Sequence, residues 1–376
     1  MRKLLLKFVQ LESSGGIVLF IAAAIAIFWS NSQFSYIYQD ITDNLLFLIN
    51  EGLMSIFFLL VGLELKRGFL EGDLSGFSQI ILPSVAALGG MFVPALLYLS
   101  INYTSPIALK GWATPVATDI AFALGALSFF GARVPAALKL FLLALAIFDD
   151  VGSILIIALF YSHHLAYFFI FLAFLLVVCL FLLKFFSRLF LSAYLLLGIL
   201  LWMCLFYSGV HPTISGVLLA LAIPAEDYSS HSLLHRLENS LHPWVVYLIM
   251  PLFALVNAGF SFQEVSFAIL TDTVVLGIVV GLFVGKQVGI FGFSWLLIKS
   301  GLAKLPTQTS WLALYGVAIL CGIGFTMSLF LGTLAFQNEN IYLAEVRVGV
   351  ILGSILSGLF GLGILHVAFS KLKNSE

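Results

Sequence analysis

The chain has 376 residues, of which 62% are hydrophobic and only 9% charged. Soluble domains carry about 25% charged residues, and 17 basic plus 18 acidic side chains could not wet a soluble surface of this size. A formal net charge of −1 without any basic block also excludes a nucleic-acid binder. The apolar runs are continuous rather than alternating, so helices, not an outer-membrane barrel, must satisfy the backbone in lipid. The cysteines Cys179, Cys204 and Cys321 all fall inside apolar runs and offer neither a disulfide framework nor a zinc cluster. The composition is that of an all-α integral membrane protein.

Runs of about 20 apolar residues predict twelve spans, near 13–30, 45–65, 79–102, 107–131, 135–161, 165–183, 189–207, 210–224, 243–262, 272–299, 310–335 and 345–370. The eighth is short and the tenth long. The first follows Met1-Arg2-Lys3 and Glu12, and no small-x-small cleavage site comes after it. It therefore reads as an uncleaved helix rather than a secretion signal. No P-loop and no glycine-rich dinucleotide fingerprint interrupts the series, so the whole chain reads as one transmembrane domain whose work is done within the membrane.

Orientation follows from the basic residues. With the N-terminus cytoplasmic, the inner loops hold Arg2, Lys3, Lys7, Lys66, Arg67, Arg133, Lys139, Lys184, Arg188, Arg236, Lys299, Lys304, Lys371 and Lys373. The outer loops hold Lys110 and Arg347, and Lys286 lies within a span. A split of fourteen to two places both termini in the cytoplasm, together with the hydrophilic segment Glu226–His242.

Four charges stand where charge is costly. Asp119 is at the middle of the fourth span, Asp149 and Asp150 at the middle of the fifth, and Lys286 at the middle of the tenth. Each costs about 2.5–3.5 kcal/mol at the bilayer centre, so the four together cost about 10–14 kcal/mol if unpaired. They are expected to share a polar interior. Lys286 could simply staple helices through a buried salt bridge, but three carboxylates against one ammonium leave two acids over. Adjacent Asp149 and Asp150 also point about 100° apart on a helix. At least one carboxylate then needs a proton or a cation.

Broken backbone is the second signal. Pro115, in Gly111-Trp112-Ala113-Thr114-Pro115-Val116-Ala117-Thr118-Asp119, can open the fourth span one turn before Asp119. The eleventh span carries Cys321-Gly322-Ile323-Gly324-Phe325-Thr326-Met327-Ser328, whose glycines serve either a break or close packing. The two segments run in opposite directions, which is the arrangement of an inverted repeat around a transporter site. Freed carbonyls and the hydroxyls of Thr118 and Thr326 add hard oxygen donors, which suit Na⁺ or Li⁺ better than Ca²⁺ in the absence of an acidic cage. Carboxylates crowded together in a low-dielectric site hold protons nearer neutral pH. The same oxygens can then take either protons or the cation, which with alternating exposure gives antiport.

Two other classes share some of these features. Intramembrane aspartyl proteases place two aspartates on neighbouring helices, but expect Gly-x-Gly-Asp where this chain has Phe148-Asp149-Asp150-Val151-Gly152. A retinal protein would use a membrane lysine with aspartate counterions, on seven helices rather than twelve.

At these residues the sequence resembles the NhaA family of sodium/proton antiporters. The resemblance is carried by Phe57-Phe58-Leu59-Leu60-Val61-Gly62-Leu63-Glu64-Leu65-Lys66-Arg67, by Ala117-Thr118-Asp119-Ile120-Ala121-Phe122-Ala123-Leu124-Gly125 and by Ala146-Ile147-Phe148-Asp149-Asp150-Val151-Gly152. Ser208-Gly209-Val210-His211, Leu241-His242-Pro243-Trp244, Gly285-Lys286 and Gly322-Ile323-Gly324-Phe325-Thr326-Met327-Ser328 extend it across the chain. It implies a fold of about twelve transmembrane helices with an inverted repeat and two broken, crossing helices. It also implies an electrogenic, pH-regulated exchanger of the bacterial inner membrane that exports Na⁺ or Li⁺ for H⁺ and needs no cofactor. Asp149 and Asp150 would hold the cation and the protons, Asp119 and Thr118 would balance the crossed helices, and Lys286 would partner Asp149. Glu64, Arg67, Glu238, His242 and His211 would shape the pH response. Gly68 and Asn239 depart from the glutamate and histidine of well-known members, which bears on the activation pH. The segment Asn31–Asn44 is shorter than the one that forms a dimerising β-hairpin in some members, which weakens the expectation of a homodimer.

Overall fold

In lipid every backbone N–H and C=O must find its partner inside the chain. The computed structural model accordingly contains α-, 3-10 and π-helices and, among the described residues, no strand. The described residues are 14–70, 77–162, 165–183, 191–225, 233–262, 269–337 and 339–373, and the structural statements below concern these. Arg2, Lys3, Lys7, Lys184 and Arg188 of the charge count, and the first part of Glu226–His242, lie outside them, as do the side chains of Lys371 and Lys373.

In chain order the helices are α1 (Ser14–Ser30), α2 (Ser35–Leu70), α3 (Phe77–Asn102), α4 (Ile120–Ser128), α5 (Ala136–Phe160), α6 (Tyr167–Leu183), α7 (Leu191–Ser208) and α8 (Ile214–Ala222). There follow α9 (Leu233–Asn257), α10 (Thr273–Lys299), α11 (Trp311–Leu320), α12 (Phe325–Ala335) and α13 (Asn340–Lys373). Among the described residues seven helices are long and apolar enough to cross a membrane, or eight when α11 and α12, bent by 43° at their junction, count as one span. α1 and α6 are shorter apolar helices.

The structure corrects the sequence expectation at three places. The segment expected to link the first two spans is helical from Ser35, so α2 runs unbroken from Ser35 to Leu70. The ninth helix begins at Leu233, ten residues before the apolar run, and carries Pro243 inside it. In both cases polar side chains end the apolar signal while the backbone continues its hydrogen-bond ladder. The first half of the fourth span is a 3-10 helix, Ala108–Val116, rather than an α-helix. Its C-cap Ala117 is extended (φ −84°, ψ 152°), and the α-helix starts afresh at Ile120. Pro115 accounts for this: it lacks the N–H that a continued α-ladder would use.

The chain divides into two compact units. The first takes its residues from Met1–Asp40, Gly76–Ser153 and Ala254–Glu376. Its central feature is a glycine row on α10, Gly277, Gly281, Gly285 and Gly289, spaced by one helical turn. A β-carbon at Gly285 would meet the backbone of Pro94, and one at Gly289 the carbonyl of Gly89. Only glycine permits this approach of α10 to α3, the packing that small residues allow between membrane helices. The approach fixes the middle of α10, where Lys286 is placed.

The second unit takes its residues from Ile41–Ser75 and Ile154–Phe253. Its core joins Leu59 and Leu63 of α2, Ala173 and Leu180 of α6, Tyr194, Leu201 and Leu205 of α7, Leu219 and Ala220 of α8, and Leu233 and Leu234 of α9. α8 lies close against α2 because Gly216 faces the backbone at Ser55 and Leu59, and Gly62 faces Ala220 and Val217. Lys66 donates to the carbonyls of Leu221 and Ile223, at the end of α8 where a cation is favoured.

Candidate functional site

All four deep charges belong to the first unit, and all are buried: Asp119 and Lys286 are 0% exposed, Asp149 and Asp150 each 1%. They therefore avoid lipid as well as water. The Nζ of Lys286 donates to Oδ2 of Asp149 at 2.7 Å. The other carboxylate oxygen, Oδ1 of Asp149, is buried without a hydrogen-bond partner. The desolvation cost of such a buried pair is compensated only while both partners are present. Asp150 is next in sequence on α5 and so projects about 100° further round the helix, away from the direction of the ion pair.

Lys286 stands between two π-helical turns, Gly281–Gly285 and Gln287–Phe291. Wider turns of this kind are frequent at functional sites. A hydropathy reading of the tenth span shows a long run and nothing of its pitch.

The two broken stretches are laced to each other. The backbone N–H of Asp119 donates to the carbonyl of Ile323 at 2.7 Å, and Oγ1 of Thr118 donates to the carbonyl of Cys321 at 2.8 Å. In return, Oδ2 of Asp119 accepts from the backbone N–H of Thr326 at 3.1 Å and from the Thr326 hydroxyl. Its Oδ1 accepts from the N–H of Phe122 at 3.1 Å, which makes Asp119 the N-cap of α4. One carboxylate thus serves the N-terminal ends of α4 and α12 together. Both ends carry partial positive charge on unsatisfied N–H groups, and the carboxylate supplies the acceptors they need. The carbonyls of Cys321 and Ile323, released by the break, are turned to Thr118 and Asp119.

Asp119, then, is engaged by Thr326 and α4, whereas Asp149 is engaged by Lys286. Among the described residues no three His, Cys, Asp or Glu side chains gather closely enough to hold a metal ion. What the arrangement provides is an acid pair on one helix turn, with an ammonium on one of them and hard oxygen donors in the same unit.

The residues expected to respond to pH are in the second unit. Nε of Arg67 donates to both carboxylate oxygens of Glu238, at 3.1 and 2.9 Å. Glu64, partly buried one turn before Arg67, is in electrostatic range of Glu238 and Arg67. His242, one turn after Glu238 on α9, is exposed. His211 is buried apart from this group: Nδ1 is 2.7 Å from Oγ1 of Thr213, and Nε2 is 3.4 Å from Oε2 of Glu51. Glu51 was not singled out from sequence. It lies in the π-helical turn Leu48–Leu53, whose carbonyl at Glu51 accepts from Trp202 at 3.0 Å and from Ser55 at 2.6 Å. An acid six residues into a span, next to Asn50, is the signal that could have found it.

A helical membrane chain with several apolar crossings and buried ionisable groups belongs to the class of ion-handling membrane proteins. The family model described as Na⁺/H⁺ antiporter 1 matches residues 6–365. The chain is 49% identical to the Na(+)/H(+) antiporter NhaA 1 of Syntrophotalea carbinolica, over 97% of this chain and 96% of that one. It is also 49% identical to the Na(+)/H(+) antiporter NhaA of Nitrobacter hamburgensis, over 97% of this chain and 91% of that one. To the NhaA of Yersinia enterocolitica it is 46% identical, over 100% of this chain and 99% of the relative. The chain belongs to this Na⁺/H⁺ antiporter family.

Proposed function

We propose that the protein exchanges Na⁺ or Li⁺ for protons across a bacterial inner membrane, with Asp149 and Asp150 as the groups for which cation and protons compete. The observation that carries this reading is the buried Lys286–Asp149 pair with Asp150 beside it, in a chain whose relatives are named as Na⁺/H⁺ antiporters. When the site faces the side rich in protons, the carboxylates take protons and release the cation. When it faces the other side, they lose protons and take the cation. Lys286 holds the ionised site together while it is empty, and a cation arriving at Asp149 competes with it directly. Exchange is electrogenic if two acids take protons for each cation.

In this reading the chain crosses the membrane twelve times with both termini cytoplasmic. The breaks at Ala117–Asp119 and Cys321–Gly324 then belong to two crossing spans related as an inverted repeat. Asp119 and Thr118 keep the breaks together while the site changes its exposure. Glu64, Arg67, Glu238, His242 and His211 set the pH at which exchange begins.

The test is fluorescence dequenching in inverted vesicles energised to be acid inside, with Na⁺, Li⁺ and K⁺ added in turn at several pH values. Dequenching with Na⁺ or Li⁺, weaker at acid pH, is the outcome the reading requires. No response to any of the three cations would overturn it.

A further inference from the structure

We infer that the hydroxyl of Ser153 is a further ligand for the transported cation, completing the oxygen set begun by Asp149 and Asp150. The inference rests on the reading of those two aspartates as the ion site. Serines inside helices ordinarily donate back to the carbonyl one turn earlier. This chain follows that habit: Ser55 donates to Glu51, Ser84 to Ile80 and Ser240 to Arg236, at 2.6, 2.7 and 2.7 Å. Ser153 does not. It is 0% exposed, and its Oγ has no hydrogen-bond partner. A buried hydroxyl left in this state costs about 1–3 kcal/mol, so its retention at this position calls for a partner outside the protein.

Its place on α5 says which partner. Ser153 is four residues after Asp149 and three after Asp150, which puts it on the adjacent turn of the same face as each. At about 100° per residue it projects about 40° from Asp149 and about 60° from Asp150, between the two. The nearby Oδ1 of Asp149, also buried and without a partner, is the second half of the observation. Thr114, Ser294 and Ser357 have unpaired buried hydroxyls as well, but none has an acid within a helical turn in sequence. A small hard cation prefers oxygen donors, and a serine oxygen differs from its carboxylate neighbours in one respect: it keeps its lone pairs available at every pH. Ser153 would strengthen cation binding without adding a competing proton site.

The experiment measures exchange in proteoliposomes against Na⁺ and Li⁺ concentration, for wild type, Ser153→Ala, Ser153→Cys and Asp150→Asn. Cysteine keeps the volume and removes the hard oxygen. The proposal requires the half-saturating Na⁺ concentration to rise about tenfold in both Ser153 variants, the effect of losing one good oxygen contact, with the maximal rate retained. Wild-type half-saturation in Ser153→Ala, or its restoration in Ser153→Cys, would show that the side chain only fills space and would overturn the proposal. If Ser153→Ala fails to insert, Ser153→Cys decides by itself. Silence of Asp150→Asn alongside a normal Ser153→Ala removes this inference and leaves the site reading intact. Normal exchange by Asp150→Asn removes both.

Discussion

Lys286 and Asp149 form a buried ion pair, Nζ to Oδ2 at 2.7 Å, with less than 2% of either side chain exposed. Removing one member of such a pair strands the other and costs about 3–5 kcal/mol. Lys286→Ala should therefore lower the thermal stability of the detergent-solubilised protein markedly. The double variant Lys286→Met with Asp149→Leu should recover much of the loss, because no ion is left stranded. Unchanged stability in Lys286→Ala would show that the pair does not hold the fold.

Asp119 accepts from Phe122 on α4 and from Thr326 on α12, so Asp119→Ala uncaps two helices at once. Loss of one N-cap costs about 0.5–2 kcal/mol, and two give about 1–4 kcal/mol. Asp119→Asn keeps one acceptor oxygen and should lose less than Ala. Thermal unfolding of the two variants beside wild type checks the order, and equal stability of all three would contradict it.

The Arg67–Glu238 contact is partly open to solvent, with side-chain exposures of 23% and 14%. Its removal should cost about 1 kcal/mol or less. The larger effect is on pH. Arg67→Gln takes away the cation that contacts both carboxylate oxygens of Glu238. If this charged contact sets the onset of exchange, the activity curve moves along the pH axis. Exchange measured across pH should show that move at nearly constant stability, and an unmoved curve would contradict it.

Packing gives a paired prediction on one helix. Gly289→Ala puts a methyl group onto the backbone of Gly89 and should destabilise by about 1–3 kcal/mol. Gly292→Ala, three residues on, meets nothing within 4 Å and should be neutral or slightly stabilising through its helix propensity. Comparable losses at both positions would mean that the glycine row does not set the approach of α3 to α10.

Much of this architecture was legible because apolar surroundings leave a sequence few choices. Charges are so scarce that Asp119, Asp149, Asp150 and Lys286 could be picked out by depth, and all four proved to be buried. Pro115 marked the interruption before Asp119, and the Gly322-Gly324 pair marked the bend between α11 and α12. Other features left no trace in hydropathy. A π-turn changes which carbonyl accepts, not which residues are apolar, so the turns beside Lys286 and under Glu51 were invisible. The helical stretches Ser35–Asn44 and Leu233–His242 were read as connections because their side chains are polar, although the backbone ladder is indifferent to that. Partnership was the hardest to read. That Lys286 meets Asp149 came from the family resemblance, and the contact of His211 with Glu51 joins residues 160 positions apart.

The central claim is that cation and protons compete for the aspartate pair, and proton release on cation binding measures it most directly. Na⁺ added to the purified, weakly buffered protein at mildly alkaline pH should release protons from wild type and none from Asp150→Asn. Release by the variant equal to wild type, or Na⁺ binding to wild type without any release of protons, would contradict the account.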